Sequence, residues 1–219
     1  MKNVILWADI SDFPDILQNP VAAKNIVPNQ INRILKYKKP LNRKQCLCAR
    51  MMESFIVNTY GLSMDDITVD KNGKPYIKNI NYNISHSGNI VICALCDTVV
   101  GCDIEKIREI KNGVKEKYFS DSERSFLDSL NGTEIQKTFF EFWTAKESYL
   151  KMTGEGIASC IKDIEIVFCP SNTKKAFVKR NGDKTECFIN QVFIPGHSEY
   201  VISVCTENDI AFDLQEFFY

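Results

Sequence analysis

The sequence DITV at residues 66–69 follows a long stretch of helical periodicity, and the similar sequence DIEI at residues 163–166 follows a second one. Each is followed by an Asn-Gly pair, at residues 72–73 and 181–182, which is typical of a tight turn between two strands. The order of long helix, strand, turn and strand therefore occurs twice. This order predicts an α+β fold of two similar lobes, although matches this short also arise by chance.

Helical and strand patterns around these two segments complete the expected lobes. Apolar residues recur at helical spacing from Pro40 to Tyr60, and the second long helix is expected to end at Gly154. We expect each lobe to be a long helix packed on a small, mostly antiparallel sheet, with residues 1–100 in the N-terminal lobe and residues 101–219 in the C-terminal lobe. The expected strands are residues 4–8, 67–69, 89–95, 99–105, 163–167, 174–179, 185–194 and 200–205.

The overall composition limits the cellular setting more than it limits the function. The formal net charge is -1 and the isoelectric point is near 6.2, so no global electrostatic feature favours nucleic acid. No stretch approaches the roughly 20 apolar residues that cross a membrane, and the start lacks the apolar region of a signal peptide. Several cysteines lie in apolar stretches, where they act as small hydrophobic residues. We therefore expect a cytoplasmic protein with reduced thiols.

The segment GCDIE at residues 101–105 lies at the end of an expected strand. Because strand side chains alternate, Asp103 and Glu105 should project from the same face, about 7 Å apart. Two like charges in one place raise each other's pKa or bind a cation, and oxygen ligands at this spacing suit Mg²⁺. The alternative is an ordinary solvated strand face.

The segment FWTAKESYLK at residues 142–151 lies late in the second long helix. Glu147 and Lys151 are four residues apart and share one helix face, which is also the commonest arrangement of a surface ion pair. Lys146 is harder to explain as a surface residue, because it lies one turn from Trp143 and from Leu150 on an otherwise apolar face. A lysine in that position requires a specific reason.

Two further segments carry groups that bind phosphate. The segment NISHSG at residues 83–88 precedes an expected strand and offers hydroxyls, backbone donors and a histidine; alternatively, its serines make only local turn bonds. A basic cluster around Pro40 could hold a phosphate-rich ligand or form a solvated face. Its members are Arg33, Lys36, Lys38, Lys39, Arg43 and Lys44, and Lys74 adds a charge beside the turn at Gly73.

Taken in their order and spacing, these motifs resemble the surfactin-type branch of the 4'-phosphopantetheinyl transferase superfamily. The family shows Gly-x-Asp-x-Glu and then Trp-x-x-Lys-Glu-x-x-x-Lys, which correspond to residues 101–105 and 143–151. It also shows a Gly-Lys-Pro turn and then Asn-x-Ser-His-Ser, which correspond to residues 73–75 and 83–87. The resemblance runs from about Arg33 to Lys151, and the strands after Gly154 match the family only in length and strand content.

The resemblance implies two lobes related by a pseudo-twofold axis, with coenzyme A in the cleft between them. It implies that Mg²⁺, or Mn²⁺ in its place, is held by Asp103, Glu105 and Glu147, and that Glu147, Lys151 and Asp103 are catalytic. The basic segment matches the family in pattern rather than residue by residue. The implied coenzyme A site consists of Arg33, Lys38, Arg43, Lys74, Ser85, His86, Asp103 and Lys151.

The reaction that the resemblance implies is transfer of the 4'-phosphopantetheine arm of coenzyme A to a serine of an apo acyl or peptidyl carrier protein, with release of 3',5'-ADP. We expect a monomer that binds neither nucleic acid nor membrane. Two alternatives remain open. One is a Mg²⁺-dependent hydrolase of a nucleotide pyrophosphate, which the same carboxylates and lysines would serve, and the other is a non-catalytic module that binds coenzyme A or a carrier protein.

Overall fold

The computed structural model describes residues 3–18, 26, 28–69, 75–155 and 161–218. The elements of the N-terminal half are β1 (Val4–Asp9), α1 (Pro28–Leu35), α2 (Pro40–Thr59), β2 (Ile67–Val69), β3 (Pro75–Ile77), β4 (Asn81–Ser87) and β5 (Ile90–Cys96). The elements of the C-terminal half are β6 (Val100–Lys106), α3 (Val114–Tyr118), α4 (Asp121–Asp128), α5 (Thr133–Thr153), β7 (Ile164–Cys169), β8 (Asn172–Arg180), β9 (Asp183–Val192), β10 (Tyr200–Thr206) and β11 (Asp213–Glu216).

The strands form two main sheets and a separate hairpin. The first sheet has the order β11-β1-β5-β4, the second has the order β6-β10-β9-β8-β7, and β2 pairs with β3. Neighbouring strands are antiparallel, except that β11 runs parallel to β1. Helix α2 shares a hydrophobic core with the first sheet, and α5 shares one with the second. The predicted α+β class, with a long helix on each small sheet, is confirmed.

The two halves repeat the same local order. Single-turn 3₁₀ helices at Met64–Asp66 and Ile161–Asp163 precede β2 and β7, and each of these strands pairs with the next strand in the chain. Asn181 and Gly182 have φ angles of 52° and 90°, which form the predicted tight turn between β8 and β9. The matching turn predicted at residues 72–73 lies outside the described residues.

The faces of the sheets that do not contact the long helices pack against each other. Their shared core includes Ile5 and Ile92 of the first sheet and Ile104 and Ile202 of the second. Strand β11 then crosses to the N-terminal sheet, where Phe217 N–H donates to the carbonyl of Trp7 at 2.7 Å. The last strand of the chain thus belongs by pairing to the N-terminal sheet.

Helix α5 lies very close to β6, because the second residue of that strand is a glycine. A Cβ atom at Gly101 would lie 2.0 Å from the carbonyl oxygen of Ser148 and 2.4 Å from the amide nitrogen of Met152. No other side chain fits there, so the helix backbone rests directly on the strand. This approach brings Glu147 and Lys151 close to the strand that carries Asp103.

Lys146 is fully buried and stabilises the fold. Its ammonium lies 2.6 Å from Glu123 Oε2 and donates to the carbonyls of Tyr118 and Ile161 at 3.1 and 3.2 Å. Glu123 in turn accepts a hydrogen bond from the amide of Ile166 at 2.9 Å. The pair joins α5 to the start of α4 and to β7. This contact explains why a lysine lies on an otherwise apolar helix face.

Candidate active site

A polar cluster lies where β4, β6 and α5 meet between the lobes. Lys151 Nζ donates to Asp103 Oδ1 at 2.6 Å and to Ser85 Oγ at 2.9 Å. Ser85 Oγ donates to Asp103 Oδ1 at 2.8 Å. One residue from each of these elements therefore forms a closed triangle of charge-assisted hydrogen bonds.

Glu147 lies next to this triangle and adds a second buried carboxylate. Glu147 is 4% exposed, and Asp103 is 6% exposed. Burial, followed by the charge of Asp103, raises the pKa of Glu147 to about 7, although Lys151 opposes the shift. Burial alone would lower the pKa of Lys151, but the negative charges around it, Asp103 foremost, raise it overall, so the ammonium stays charged.

One oxygen of each buried carboxylate has no hydrogen-bond partner: Asp103 Oδ2 and Glu147 Oε1 are both buried and unsatisfied. A buried oxygen without a partner is unfavourable, and a divalent cation would satisfy both oxygens while relieving the repulsion between the carboxylates. These two residues therefore fit Mg²⁺ or Mn²⁺. Within the described residues, no three His, Cys, Asp or Glu side chains converge into a complete ligand group.

Glu105, the third expected ligand, is held by other partners. Ser87 Oγ donates to Glu105 Oε2 at 2.7 Å, and Arg108 Nη1 donates to the same oxygen at 2.7 Å. Oε1 takes part in neither contact. Glu105 projects toward β4, as Asp103 does, but its place among the ligands of a cation stays a prediction.

Ser85 and His86 are neighbours on β4 and lie on opposite sides of the strand. Residues 83–88 precede a strand, β5, as expected, but residues 81–87 also form a strand of their own, β4, which was not expected. Ser85 is buried against β6, whereas His86 lines an open cavity together with Arg33 and Arg50. Desolvation by surrounding protein atoms and the charge of Lys151 lower the pKa of His86, so its ring is neutral near pH 7.

Arg43, which was expected to bind coenzyme A, has structural partners instead. Its Nε donates to Asp15 Oδ1 at 2.9 Å, and its Nη1 donates to the carbonyls of Tyr37 and Lys38 at 2.9 Å each. The guanidinium thereby joins α2 to two other segments of the N-terminal lobe. The geometry gives no support to a ligand contact by this residue.

The other expected basic residues have different positions. Arg33 lines the cavity beside His86, so it can contact a bound anion. Lys38 is exposed and is not among the residues that line this cavity. Lys74 lies outside the described residues.

Sequence reasoning missed Arg108, and it placed Asn83 and Ser87 in a phosphate-binding segment without giving either residue a role of its own. Asn83 and Ser87 flank Ser85 at a period of two, so they share its face of β4. That period was a usable signal once residues 81–87 were recognised as a strand. Arg108 lies in the loop after β6, where no periodic pattern indicates which side chain will turn back toward Glu105.

Known proteins are similar to this chain along most of its length. Residues 14–98 match the family model described as 4'-phosphopantetheinyl transferase, N-terminal, and residues 99–205 match the model of the 4'-phosphopantetheinyl transferase superfamily. The 4'-phosphopantetheinyl transferase HetI of Nostoc sp. is 30% identical over 184 residues, which make up 78% of this chain and 77% of HetI. The chain belongs to the 4'-phosphopantetheinyl transferase superfamily.

Other members of the superfamily match shorter parts of the chain. The 4'-phosphopantetheinyl transferase gsp of Aneurinibacillus migulanus is 36% identical over 110 residues, 49% of this chain and 46% of gsp, so the match spans less than half of that relative's length. A holo-(acyl-carrier-protein) synthase structure from Bacillus anthracis, in complex with CoA, is 20% identical, covers 49% of this chain and 93% of its own, and has a TM-score of 0.39. The two superfamily models meet between residues 98 and 99, next to the start of β6.

Proposed function

We propose that this chain transfers the 4'-phosphopantetheine arm of coenzyme A to a serine of an apo acyl or peptidyl carrier protein and releases 3',5'-ADP. One observation carries the proposal: a charged lysine and two unsatisfied carboxylate oxygens, on Asp103 and Glu147, lie together between the lobes. Membership of the superfamily supports the choice of reaction. Lys151 can neutralise a phosphate, while the carboxylates require a cation to balance them.

In this proposal, Lys151 stabilises the negative charge that develops on the transferred phosphate. Ser85 and Asp103 hold its ammonium in one orientation, through contacts of 2.9 and 2.6 Å, so little reorganisation is needed during the reaction. We propose that Glu147 is the general base that accepts the hydroxyl proton of the attacking carrier serine. Positioning and charge neutralisation should then account for most of the rate enhancement.

Asp103 and Glu147 are the residues that would hold Mg²⁺ or Mn²⁺, with Glu105 as the proposed third ligand. A bound divalent cation would neutralise the pyrophosphate of coenzyme A. The residues of the chain fit this need because the two unsatisfied oxygens belong to carboxylates that repel each other.

The cavity next to the site is the proposed place for the phosphates and adenosine of coenzyme A. Arg33 and His86 line it, and Ser85 lies on the same strand as His86. Arginine binds phosphate through two parallel hydrogen bonds, which favours Arg33 as an anchor. Lys38, which does not line this cavity, and Lys74, which lies outside the described residues, remain proposed contacts, and Arg43 is assigned to the fold.

None of the described helices is both long and apolar enough to cross a bilayer. We propose that the protein acts in the cytoplasm as a monomer, because β4 of one lobe and β6 and α5 of the other supply the whole cluster within one chain. The proposed partners are coenzyme A and the carrier protein, with no nucleic acid and no membrane.

Intact-protein mass spectrometry of several apo carrier proteins, incubated with this protein, coenzyme A and Mg²⁺, tests the proposal. We expect a mass gain of one phosphopantetheine that is abolished by EDTA and by Asp103→Ala. Release of 3',5'-ADP without a carrier would indicate the hydrolase instead. Binding of coenzyme A with no modification of any carrier would indicate the binding module, and near-normal turnover by Asp103→Ala would overturn the metal assignment.

A further inference from the structure

Strand β6 is the edge strand of its sheet, yet its outer amides are not left to water. Side chains of β4 accept hydrogen bonds from alternate amides of β6: Cys102 N–H donates to Asn83 Oδ1 at 2.8 Å, Ile104 N–H to Ser85 Oγ at 3.4 Å, and Lys106 N–H to Ser87 Oγ at 3.0 Å. An edge strand normally satisfies such groups with another strand or with solvent. Here a ladder of side chains, Asn83, Ser85 and Ser87, takes the place of a neighbouring strand.

The residue type at each ladder position matches the β6 side chain opposite it: serine lies opposite a carboxylate, and asparagine lies opposite Cys102. The two serines also donate to carboxylates of β6, at a constant offset of 18 residues: Ser85 to Asp103 and Ser87 to Glu105. Asn83 contacts the buried Cys102 instead and touches no carboxylate in β6. A serine hydroxyl can accept from an amide and donate to a carboxylate at the same time, whereas the amide oxygen of Asn can only accept.

The two carboxylates are held in the same way. Asp103 Oδ1 receives Ser85 and Lys151, while Oδ2 has no hydrogen-bond partner. Glu105 Oε2 receives Ser87 and Arg108, while Oε1 takes part in neither contact. On each carboxylate, a serine hydroxyl and a basic side chain, Lys151 or Arg108, thus donate to one oxygen. The other oxygen accepts from neither of them.

We propose that Ser87 is a positioning residue, which orients the Glu105 carboxylate so that its second oxygen can bind the same divalent cation as Asp103 and Glu147. The inference rests on the proposed metal centre. Ser87 does for Glu105 what Ser85 does for Asp103, and its hydroxyl is fixed on both sides, by the amide of Lys106 and by the carboxylate. Partners that orient ligating carboxylates in this way contribute strongly to metal affinity.

Titration with Mn²⁺ alone, and again with saturating coenzyme A, tests this role, with free Mn²⁺ measured by electron paramagnetic resonance. We expect Ser87→Ala to raise the Kd for Mn²⁺ by about 10-fold, the lower end of the range for such partners. Ser87→Thr should restore the Kd to within about two-fold of the parent, because threonine keeps the hydroxyl that donates and accepts.

Asn83→Ala is the matched control, because it removes a ladder contact but no contact to a carboxylate. It should leave the Kd for Mn²⁺ near that of the parent and lower the Tm more than Ser87→Ala does. The amide of Cys102 is buried and would lose its acceptor, whereas Lys106 is exposed and water can replace Ser87.

Two outcomes would overturn the role of Ser87: an unchanged Kd in Ser87→Ala, or an equal weakening of Mn²⁺ binding in Asn83→Ala. Asp103→Ala separates this failure from failure of the proposed function. If Asp103→Ala loses Mn²⁺ while Ser87→Ala does not, only the inference about Ser87 is wrong. If the parent binds no Mn²⁺ under either condition, or Asp103→Ala binds it normally, the metal centre is wrong and this inference falls with it.

Discussion

Each of the two long helices carries a buried glutamate, and the surroundings of the two carboxylates differ. Glu53 on α2 is balanced by neighbours: Tyr82 donates to Oε1 at 3.2 Å, and Arg50 Nη1 forms an ion pair with Oε2 at 2.5 Å, although the geometry of that contact is not that of a hydrogen bond. Glu147 on α5 lies beside Asp103 and has an unsatisfied Oε1. Burial is the largest cause that raises the pKa of each glutamate, in both cases to about 7.

The likeness of the two lobes therefore does not extend to their polar groups. In the N-terminal lobe, the buried charge is balanced by partners from the same lobe. In the C-terminal lobe, two carboxylates share one lysine, and part of the balance must come from something that binds. The same backbone arrangement can therefore hold a buried carboxylate with or without enough neighbouring charge to balance it. In a repeated fold, function has to be argued from the buried charges that the protein itself leaves unbalanced.

Changing both glutamates to glutamine tests this difference most directly. Glu147→Gln should lower the rate of phosphopantetheine transfer by about 100-fold or more, because it removes a proposed cation ligand and proton acceptor. Glu53→Gln should keep most of the parent's rate, since its partners lie within the N-terminal lobe. Initial rates of carrier modification, followed by intact-protein mass spectrometry, measure both. Equal losses in two variants that are folded by circular dichroism would contradict the distinction.

The packing of the helices on their strands gives the next largest effect. Gly101→Ala places a methyl group against the backbone of α5, and we expect it to lower the free energy of unfolding by about 3 kcal/mol or more. In the N-terminal lobe, Ala8 of β1 already carries such a methyl group in the core that β1 shares with α2. The reverse change, Ala8→Gly, should cost only about 1 kcal/mol. Urea unfolding compares the two, and a mild effect of Gly101→Ala would mean that α5 can move away from β6.

Two arginines of the N-terminal lobe are expected to have different roles, Arg33 in binding coenzyme A and Arg43 in stabilising the fold. Arg33→Gln should raise the KM for coenzyme A by about 10-fold, through loss of a charge-assisted hydrogen bond to phosphate. Arg43→Gln should leave this KM near the parent's but lower the Tm, because it leaves Asp15 buried without its cation. Steady-state kinetics with varied coenzyme A, together with thermal unfolding, distinguish the two. A large rise in KM for Arg43→Gln with unchanged Tm would show that Arg43 binds coenzyme A after all.

The pH dependence of stability gives the smallest and most specific test. The pKa of Glu53 is raised from 4.5 to about 7 on folding, so the folded state holds this proton more tightly than the unfolded state does. The free energy of unfolding of the parent should therefore fall as the pH rises from 4.5 to 7. Relative to Glu53→Gln, we expect a fall of up to about 3 kcal/mol.

Urea unfolding of the parent and of Glu53→Gln across this range checks the prediction. Glu147 also titrates in this window, but it is present in both proteins and its effect cancels in the difference. Parallel stability curves would contradict the prediction and would show that Arg50 keeps Glu53 ionised in the folded state.

Features that depend on local spacing could be predicted from the sequence. The observed bounds of α2, Pro40–Thr59, and of β6, Val100–Lys106, differ from the expected ones by a residue, because helical periodicity and strand alternation are local properties. The Asn181-Gly182 turn follows from two adjacent residues that tolerate positive φ. The same periodicities place Glu147 and Lys151 on one helix face, and Asp103 and Glu105 on one strand face.

Features that depend on distant partners could not be predicted in this way. Arg43 reads as part of a basic cluster, and only its contact with Asp15, 28 residues away, shows that it is structural. Arg108 is also an ordinary loop residue until the fold turns it toward Glu105. Strand β11 pairs with β1 from the opposite end of the chain, and no local pattern encodes a pairing of Val4 with Asp213.

That pairing has a consequence for how the protein is made. During translation, residues 213–216 leave the ribosome long after β1, so the free edge of β1 must wait for its parallel partner. In the nascent N-terminal lobe, one edge of this apolar strand, VILWAD at residues 4–9, is therefore unpaired and open to pairing with other chains, while its other edge pairs with β5. We therefore expect aggregation of incomplete chains that lack β11 to begin at this edge.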